Sequence, residues 1–125
     1  MPAKILVIDD ERYMRDLMRL HLEMAGYEVQ LAFDAVVGGR FLLAGYRPDV
    51  ILVDIEMPHM TGLEFITAVK SDAATSSIPI IVVSSRDDAE LEAKQLGAVE
   101  FLAKPVRADQ LLGTVANYVE GRVPL

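Results

Sequence analysis

The chain has 125 residues, 52% of them hydrophobic, and carries 19 acidic against 12 basic residues, a net charge of -7. This length predicts one domain with a sizeable core. The acidic balance argues against direct binding of nucleic acid, which needs a basic surface. The absence of cysteine excludes disulfides and thiolate metal sites and favours a reducing, cytoplasmic setting. We expect neither a signal peptide nor a membrane span.

Short apolar runs alternate with longer amphipathic stretches along the whole chain. The predicted strands are residues 5–8, 27–32, 50–53, 78–83 and 99–102. The predicted helices are residues 11–25, 35–45, 61–71, 87–96 and 107–120. Asp34 is a predicted helix N-cap, and Thr61 with Glu64 has the spacing of a capping box. The alternation predicts an α/β fold, a parallel sheet with helices on both faces.

Polar segments follow four of the predicted strands. They are Asp9-Asp10 after the first strand, Asp54 after the third, Ser84-Ser85 after the fourth and Lys104-Pro105 after the fifth. The carboxyl ends of parallel strands share one edge of the sheet, where ligands bind in open α/β folds. We therefore expect these segments to converge, despite their separation in the sequence.

The residue types at this edge favour phosphoryl chemistry assisted by a hard cation. Three carboxylates placed together repel one another, so at least one pKa should rise unless a cation lies among them. Oxygen ligands without His or Cys suit Mg²⁺, which accepts one or two carboxylates together with a phosphate. Lys104 offers a charge to a phosphoryl oxygen, and Ser84 offers a hydroxyl donor. The third carboxylate is then free to form an aspartyl phosphate.

With these segments in order, the chain resembles the receiver domain of two-component response regulators over essentially its whole length, and single-domain chemotaxis-type receivers are similar. The matching motifs are Asp9-Asp10, the DIEMPHMTG segment of residues 54–62, Ser84 and Lys104-Pro105. The resemblance implies a doubly wound, flavodoxin-like (βα)5 three-layer sandwich, with a five-stranded parallel sheet in the order 2-1-3-4-5. It also implies a single receiver domain over residues 1–125, of which 121–125 form a tail or the start of a linker.

The resemblance implies a role for each matching residue. Asp54 is the expected phosphoacceptor, and Lys104 is expected to pair with a phosphoryl oxygen. The expected Mg²⁺ ligands are Asp9, Asp10, Asp54 and the backbone carbonyl of Glu56. The phosphoryl group would come from a histidine kinase or a histidine phosphotransfer protein, and the chain would catalyse only its own phosphorylation and dephosphorylation.

The resemblance also implies a conformational switch. Ser84 matches the hydroxyl that moves toward the phosphoryl group, and Phe101 matches the aromatic side chain that swings inward with it. The Lys104-Pro105 peptide bond is expected to be cis, which costs little only before proline. The expected readout face, roughly residues 86–120, would control a downstream protein target or a fused output domain.

Three residues near the expected site vary within the family or depart from its pattern. Glu56 and Arg86 lie at positions that tune the rate of dephosphorylation. Ser85 stands where the family more often has Ala or Gly, which would alter access to the phosphoryl group. The lifetime of the phosphorylated form therefore does not follow from the sequence.

Other interpretations stay open at this stage. Asp9-Asp10 would favour a following helix through its dipole alone, and Phe101 is also a natural core residue. A degenerate receiver would act only through protein contacts, although the intact acidic set argues against it. A Mg²⁺-dependent aspartyl-phosphate phosphatase usually needs a second Asp two residues after its nucleophile, where this chain has Glu56. A flavodoxin-like cofactor site would need a phosphate-binding loop after the first strand, where residues 9–11 are all acidic.

Overall fold

The computed structural model describes residues 2–119. Its strands are β1 (Lys4–Ile8), β2 (Glu28–Ala32), β3 (Val50–Val53), β4 (Ile80–Ser84) and β5 (Glu100–Ala103). Its helices are α1 (Arg12–Met24), α2 (Ala35–Leu43), α3 (Gly62–Ser71), α4 (Glu90–Leu96) and α5 (Ala108–Val119). The predicted tail at residues 121–125 lies outside the described residues.

All strand pairs are parallel, in the order β2-β1-β3-β4-β5. The predicted fold class and strand order are therefore confirmed. Side chains alternate across β1, so Ile5 and Val7 pack with α1 and α5, whereas Leu6 and Ile8 pack with α2, α3 and α4. Helices therefore cover both faces of the sheet, which explains why the central strands β1, β3 and β4 are largely apolar runs.

Two helices begin at the predicted side-chain caps. Asp34 Oδ1 accepts a hydrogen bond of 2.9 Å from the Val37 N–H at the start of α2. At the start of α3, Thr61 Oγ1 accepts from the Glu64 N–H and Glu64 Oε1 accepts from the Thr61 N–H, which completes the capping box. These caps fix the points at which the chain leaves the sheet edge and enters a helix.

Two predicted boundaries were wrong by a few residues. The fourth strand begins at Ile80 and not at Ile78, because Pro79 has no N–H to donate to the ladder. The predicted helix over residues 87–96 begins as a 3₁₀ turn at Asp87–Ala89 and becomes α-helical only from Glu90. Within residues 2–119, no helix has the length and apolar character needed to cross a bilayer.

Candidate functional site

The register of β1 and β3 places two carboxylates side by side. Ile8 lies opposite Val53 in the parallel ladder, and the Asp54 N–H donates to the Ile8 carbonyl at 3.1 Å. The next residues along the two strands are Asp9 and Asp54, so both side chains leave the same edge of the sheet. Asp9, Asp10 and Asp54 each offer an oxygen, and these oxygens all lie within 4.8 Å of one another.

Lys104 supplies the positive charge at this acidic cluster. The Lys104 N–H donates to the Ser84 carbonyl at 3.0 Å, which extends the β4–β5 ladder by one residue. Its Nζ lies 2.8 Å from Asp54 Oδ2 and 2.9 Å from Asp9 Oδ2. Burial alone would lower the pKa of Lys104, but the hydrogen bonds and charges of Asp54 and Asp9 outweigh it and raise that pKa. Lys104 is therefore held as a cation.

Asp9 is the most deeply buried of the three carboxylates. Its Oδ1 accepts a hydrogen bond of 2.8 Å from the Glu11 N–H, and its carbonyl accepts one of 2.8 Å from Arg15. Its Oδ2 is buried and forms an ion pair with the Lys104 ammonium at 2.9 Å. This buried carboxylate and its two carboxylate neighbours form a donor set that fits a hard metal ion.

The pKa of Asp9 is raised, chiefly by burial, against the lowering effects of Lys104 and the Glu11 N–H. Repulsion from Asp54 contributes the least. The sequence predicted a raised pKa from repulsion between carboxylates unless a cation lay among them. A cation does lie among them, and the pKa rises because Asp9 is removed from water.

Asp54 combines a fixed orientation with access to solvent. Its Oδ1 accepts a hydrogen bond of 2.6 Å from the Ile55 N–H, and its Oδ2 accepts one of 2.8 Å from Lys104. The side chain is nevertheless 10% exposed, so a small group can reach it. Behind it, the Gly62 N–H donates to the Ile55 carbonyl at 2.8 Å, and a Cβ on Gly62 would overlap the Asp54 carbonyl oxygen. Glycine at this position lets α3 begin directly against the loop that carries Asp54.

Ser84 and Phe101 lie on the strands that flank this edge. Ser84 is buried, and its Oγ accepts a hydrogen bond of 3.1 Å from the Arg86 N–H, just before the 3₁₀ turn. Phe101 is half-buried against the core cluster that contains α3 and α4. The peptide bond between Lys104 and Pro105 is cis.

The two predicted tuning residues lie at the surface. The Arg86 guanidinium forms an ion pair with Asp88 at 3.2 Å. The hydrogen bond to Asp88 and the charge of Asp88 raise the pKa of Arg86. Glu56 is exposed and contributes to the same rise through its charge. Their effect on dephosphorylation stays a prediction, as does a metal contact of the Glu56 carbonyl.

Sequence reasoning missed one member of this constellation. Glu11 Oε1 lies 3.3 Å from Lys104 Nζ, so a third carboxylate contacts the ammonium. The sequence contained a signal, since Glu11 extends the Asp9-Asp10 pair into an acidic run. A contact between positions 93 residues apart, however, depends on how the side chains turn at the sheet edge.

An apolar cavity of about 390 Å³ lies elsewhere, between α2 and α3. Its walls include Leu42, Phe65 and Val69, and none of the acidic cluster residues lines it. Phosphoryl or metal chemistry needs charged groups, so the sheet edge, and not this cavity, is the candidate site.

Comparison with known proteins assigns the chain to a family. Residues 5–116 match the family model of the response regulator receiver domain. The chain belongs to this family. It is 33% identical to the chemotaxis response regulator CheY4 of Vibrio cholerae, whose structure superposes with a TM-score of 0.88 over 95% of this chain and 100% of that chain. The receiver domain protein of Clostridium thermocellum is 32% identical, with a TM-score of 0.86 over 96% of each chain.

The curated relatives are longer proteins. The chain is 38% identical over 114 residues to the response regulator MprA of Mycobacterium sp. (strain KMS), which covers 90% of this chain and 48% of that protein. It is 32% identical over 114 residues to the DNA-binding dual master transcriptional regulator RpaA of Synechocystis sp., covering 90% of this chain and 47% of that protein. The receiver therefore spans about half the length of these curated relatives. The family resemblance inferred from the sequence motifs is confirmed.

Proposed function

We propose that this receiver domain accepts a phosphoryl group on Asp54 from a histidine kinase or a histidine phosphotransfer protein. The observation that carries the proposal is the state of the Asp54 carboxylate, which is buried except for a 10% exposed fraction, oriented by the Ile55 N–H and paired with Lys104. In the transfer, an Asp54 oxygen forms a bond to phosphorus while the bond from phosphorus to the donor breaks. The leaving group takes that electron pair, and the product is an aspartyl phosphate.

The residues around Asp54 have separate parts in this step. The Ile55 N–H holds Oδ1 in place, so the carboxylate presents a constant face to the donor. The Lys104 ammonium moves from the carboxylate to a phosphoryl oxygen and offsets the charge that develops there. Because Lys104 is already a buried cation at the site, this stabilisation needs little reorganisation.

A magnesium ion fits the cluster of three aspartates at the sheet edge. Asp9, Asp10 and Asp54 would hold it, with the Glu56 carbonyl that the family resemblance implies. The clustering of the three aspartates supports this assignment, since each offers a carboxylate oxygen and these oxygens all lie within 4.8 Å of one another. When bound, Mg²⁺ would supply positive charge that polarises the phosphoryl oxygens.

Phosphorylation would then act as a conformational switch. The aspartyl phosphate adds about -2 charge and new acceptor oxygens at the sheet edge. To donate to such an oxygen, the Ser84 hydroxyl must turn within the pocket where it now accepts from the Arg86 N–H. That bond lies at the entry to the 3₁₀ turn and α4, so its adjustment would bias the position of α4 while Phe101 changes its packing.

The partners follow from this mechanism. The donor is a cytoplasmic histidine kinase or phosphotransfer protein, and the target of the α4–β5–α5 face is a downstream protein or a fused output domain. The greater length of MprA and RpaA supports an output domain. The net charge of -7 supports a receiver that does not itself bind nucleic acid.

The test is phosphorylation by a small donor. The protein is incubated with acetyl phosphate with and without Mg²⁺, and its intact mass is followed. We expect one phosphoryl adduct that requires Mg²⁺ and is absent from Asp54→Asn but present in Asp16→Asn, a matched change at a partly exposed position of α1. An adduct that persists in Asp54→Asn, or no adduct with the wild-type protein, would overturn the proposal.

A further inference from the structure

We propose that Glu11 is a positioning residue that competes with the phosphoryl group for the Lys104 ammonium and thereby lengthens the lifetime of the phosphorylated state. The inference deepens the function proposed above and rests on it. Its basis is the 3.3 Å contact between Glu11 Oε1 and Lys104 Nζ, on the open side of the acidic cluster.

The backbone of Glu11 is fixed by two elements. Its N–H donates to Asp9 Oδ1 at 2.8 Å, and its carbonyl accepts from the Arg15 N–H at 2.9 Å in the first turn of α1. Glu11 occupies the N-cap position of α1, but its side chain makes no capping hydrogen bond. The side chain is therefore not used by the helix and is directed at Lys104.

The three carboxylates around Lys104 differ in their freedom to move. The side chains of Asp9 and Asp54 are 1% and 10% exposed, whereas that of Glu11 is 62% exposed. Asp9 and Asp54 are held by backbone N–H groups, but Glu11 has solvent on its outer side. Glu11 is consequently the partner that Lys104 can lose or regain without unpairing a buried charge.

Phosphorylation changes what Lys104 can bind. Once Asp54 carries a phosphoryl group, its own carboxyl group is uncharged. The Lys104 ammonium can then pair with a phosphoryl oxygen, with Asp9 or with Glu11. Each time Lys104 pairs with Glu11, the phosphoryl group loses part of its counter-charge. Hydrolysis of the acyl phosphate develops charge on the same phosphoryl oxygens as its formation, so the contact of Glu11 with Lys104 slows hydrolysis.

The first test compares Glu11→Gln with the wild-type protein after the donor is removed. We expect the phosphorylated form to decay about two- to fivefold faster, the range of a partly exposed ion pair. Glu23→Gln is the matched control, because it removes the same charge from an exposed position of α1. Equal lifetimes in Glu11→Gln and Glu23→Gln would overturn the proposal.

Glu11→Asp separates the contact from the charge. Aspartate keeps the charge, but it is one methylene shorter and is a strongly preferred N-cap residue. Its side chain should therefore turn to the first N–H groups of α1 and release Lys104, so we expect Glu11→Asp to decay as fast as Glu11→Gln. A wild-type lifetime in Glu11→Asp would show that only the negative charge matters and would refute the competition for Lys104.

A measurement without phosphorylation distinguishes this inference from the proposed function. The NMR signal of the Lys104 ammonium should change in Glu11→Gln and Glu11→Asp but not in Glu23→Gln, because only the first two remove the contact. If the wild-type protein takes up no phosphoryl group, the proposed function fails, and this signal still decides whether Glu11 holds Lys104. An unchanged ammonium signal in Glu11→Gln would overturn the inference in either case.

Discussion

Replacement of Gly62 by alanine tests the packing that holds Asp54 at the sheet edge. A Cβ at this position would overlap the Asp54 carbonyl oxygen and would lie 2.8 Å from Ile55 Cα. Both contacts are with backbone atoms, so no flexible side chain can move aside. The loop after β3 or the first turn of α3 must shift instead, and Ile55 is the residue whose N–H orients the Asp54 carboxylate.

The size of the effect follows from two opposing contributions. Overpacking of a well-packed region costs about 1–3 kcal/mol. Alanine recovers at most about 1 kcal/mol of helix propensity relative to glycine. We therefore expect the free energy of unfolding to fall by about 1–2 kcal/mol, which corresponds to a decrease in Tm of about 4–8 °C for a domain of this size.

The assay is urea unfolding followed by far-UV circular dichroism, with Gly39→Ala as the matched control. Gly39 lies within α2, and a Cβ there would meet no atom within 4 Å. Its replacement should therefore raise the free energy of unfolding by up to about 1 kcal/mol. Phosphorylation of Gly62→Ala by acetyl phosphate should also be slower than that of Gly39→Ala. If the two variants unfold at the same urea concentration, the steric argument at Gly62 is refuted.

Three further changes test the site, a helix cap and a titration. Lys104→Gln should lower the free energy of unfolding by about 1–3 kcal/mol, because the carboxylates lose their counter-charge. Mg²⁺ should raise the urea midpoint of this variant more than that of the wild-type protein. Asp34→Ala should cost about 1 kcal/mol in the same assay through loss of the α2 cap. The hydrogen bond to Glu100 raises the pKa of Tyr118. Glu100→Gln should therefore return that pKa toward its ordinary value in an NMR titration and reduce the loss of stability above about pH 10. An unchanged Tyr118 titration would contradict this assignment.

The fold could be predicted because the sheet is covered on both faces. The central strands β1, β3 and β4 therefore appear in the sequence as largely apolar runs. The edge strands carry polar residues, and each helix appears as an amphipathic stretch between strands. Boundaries were harder where local chemistry interrupts the pattern. Ile78 is apolar and buried but precedes the ladder, because Pro79 cannot donate to it. The 3₁₀ turn before α4 has the same charged composition as the helix, so composition alone could not separate the two.

The meeting of Asp9, Asp54 and Lys104 could also be predicted, because parallel strands bring their carboxyl ends to one edge whatever the sequence separation. What topology leaves open is the arrangement of the side chains once they meet. The sequence could not show that Lys104 lies among the carboxylates and contacts Glu11 as well. Nor could it show that the raised pKa of Asp9 comes chiefly from burial.

These side-chain details determine how such a site can act as a switch. Asp9 and Asp54 directly follow β1 and β3, so the parallel ladder fixes where their backbones lie. Lys104 has a long side chain and several acidic partners, and its pairing can therefore change without movement of the sheet. Phosphorylation of Asp54 would therefore first change which oxygens pair with the Lys104 ammonium. Glu11, as the exposed competitor, would set what fraction of the time that ammonium pairs with the phosphoryl group.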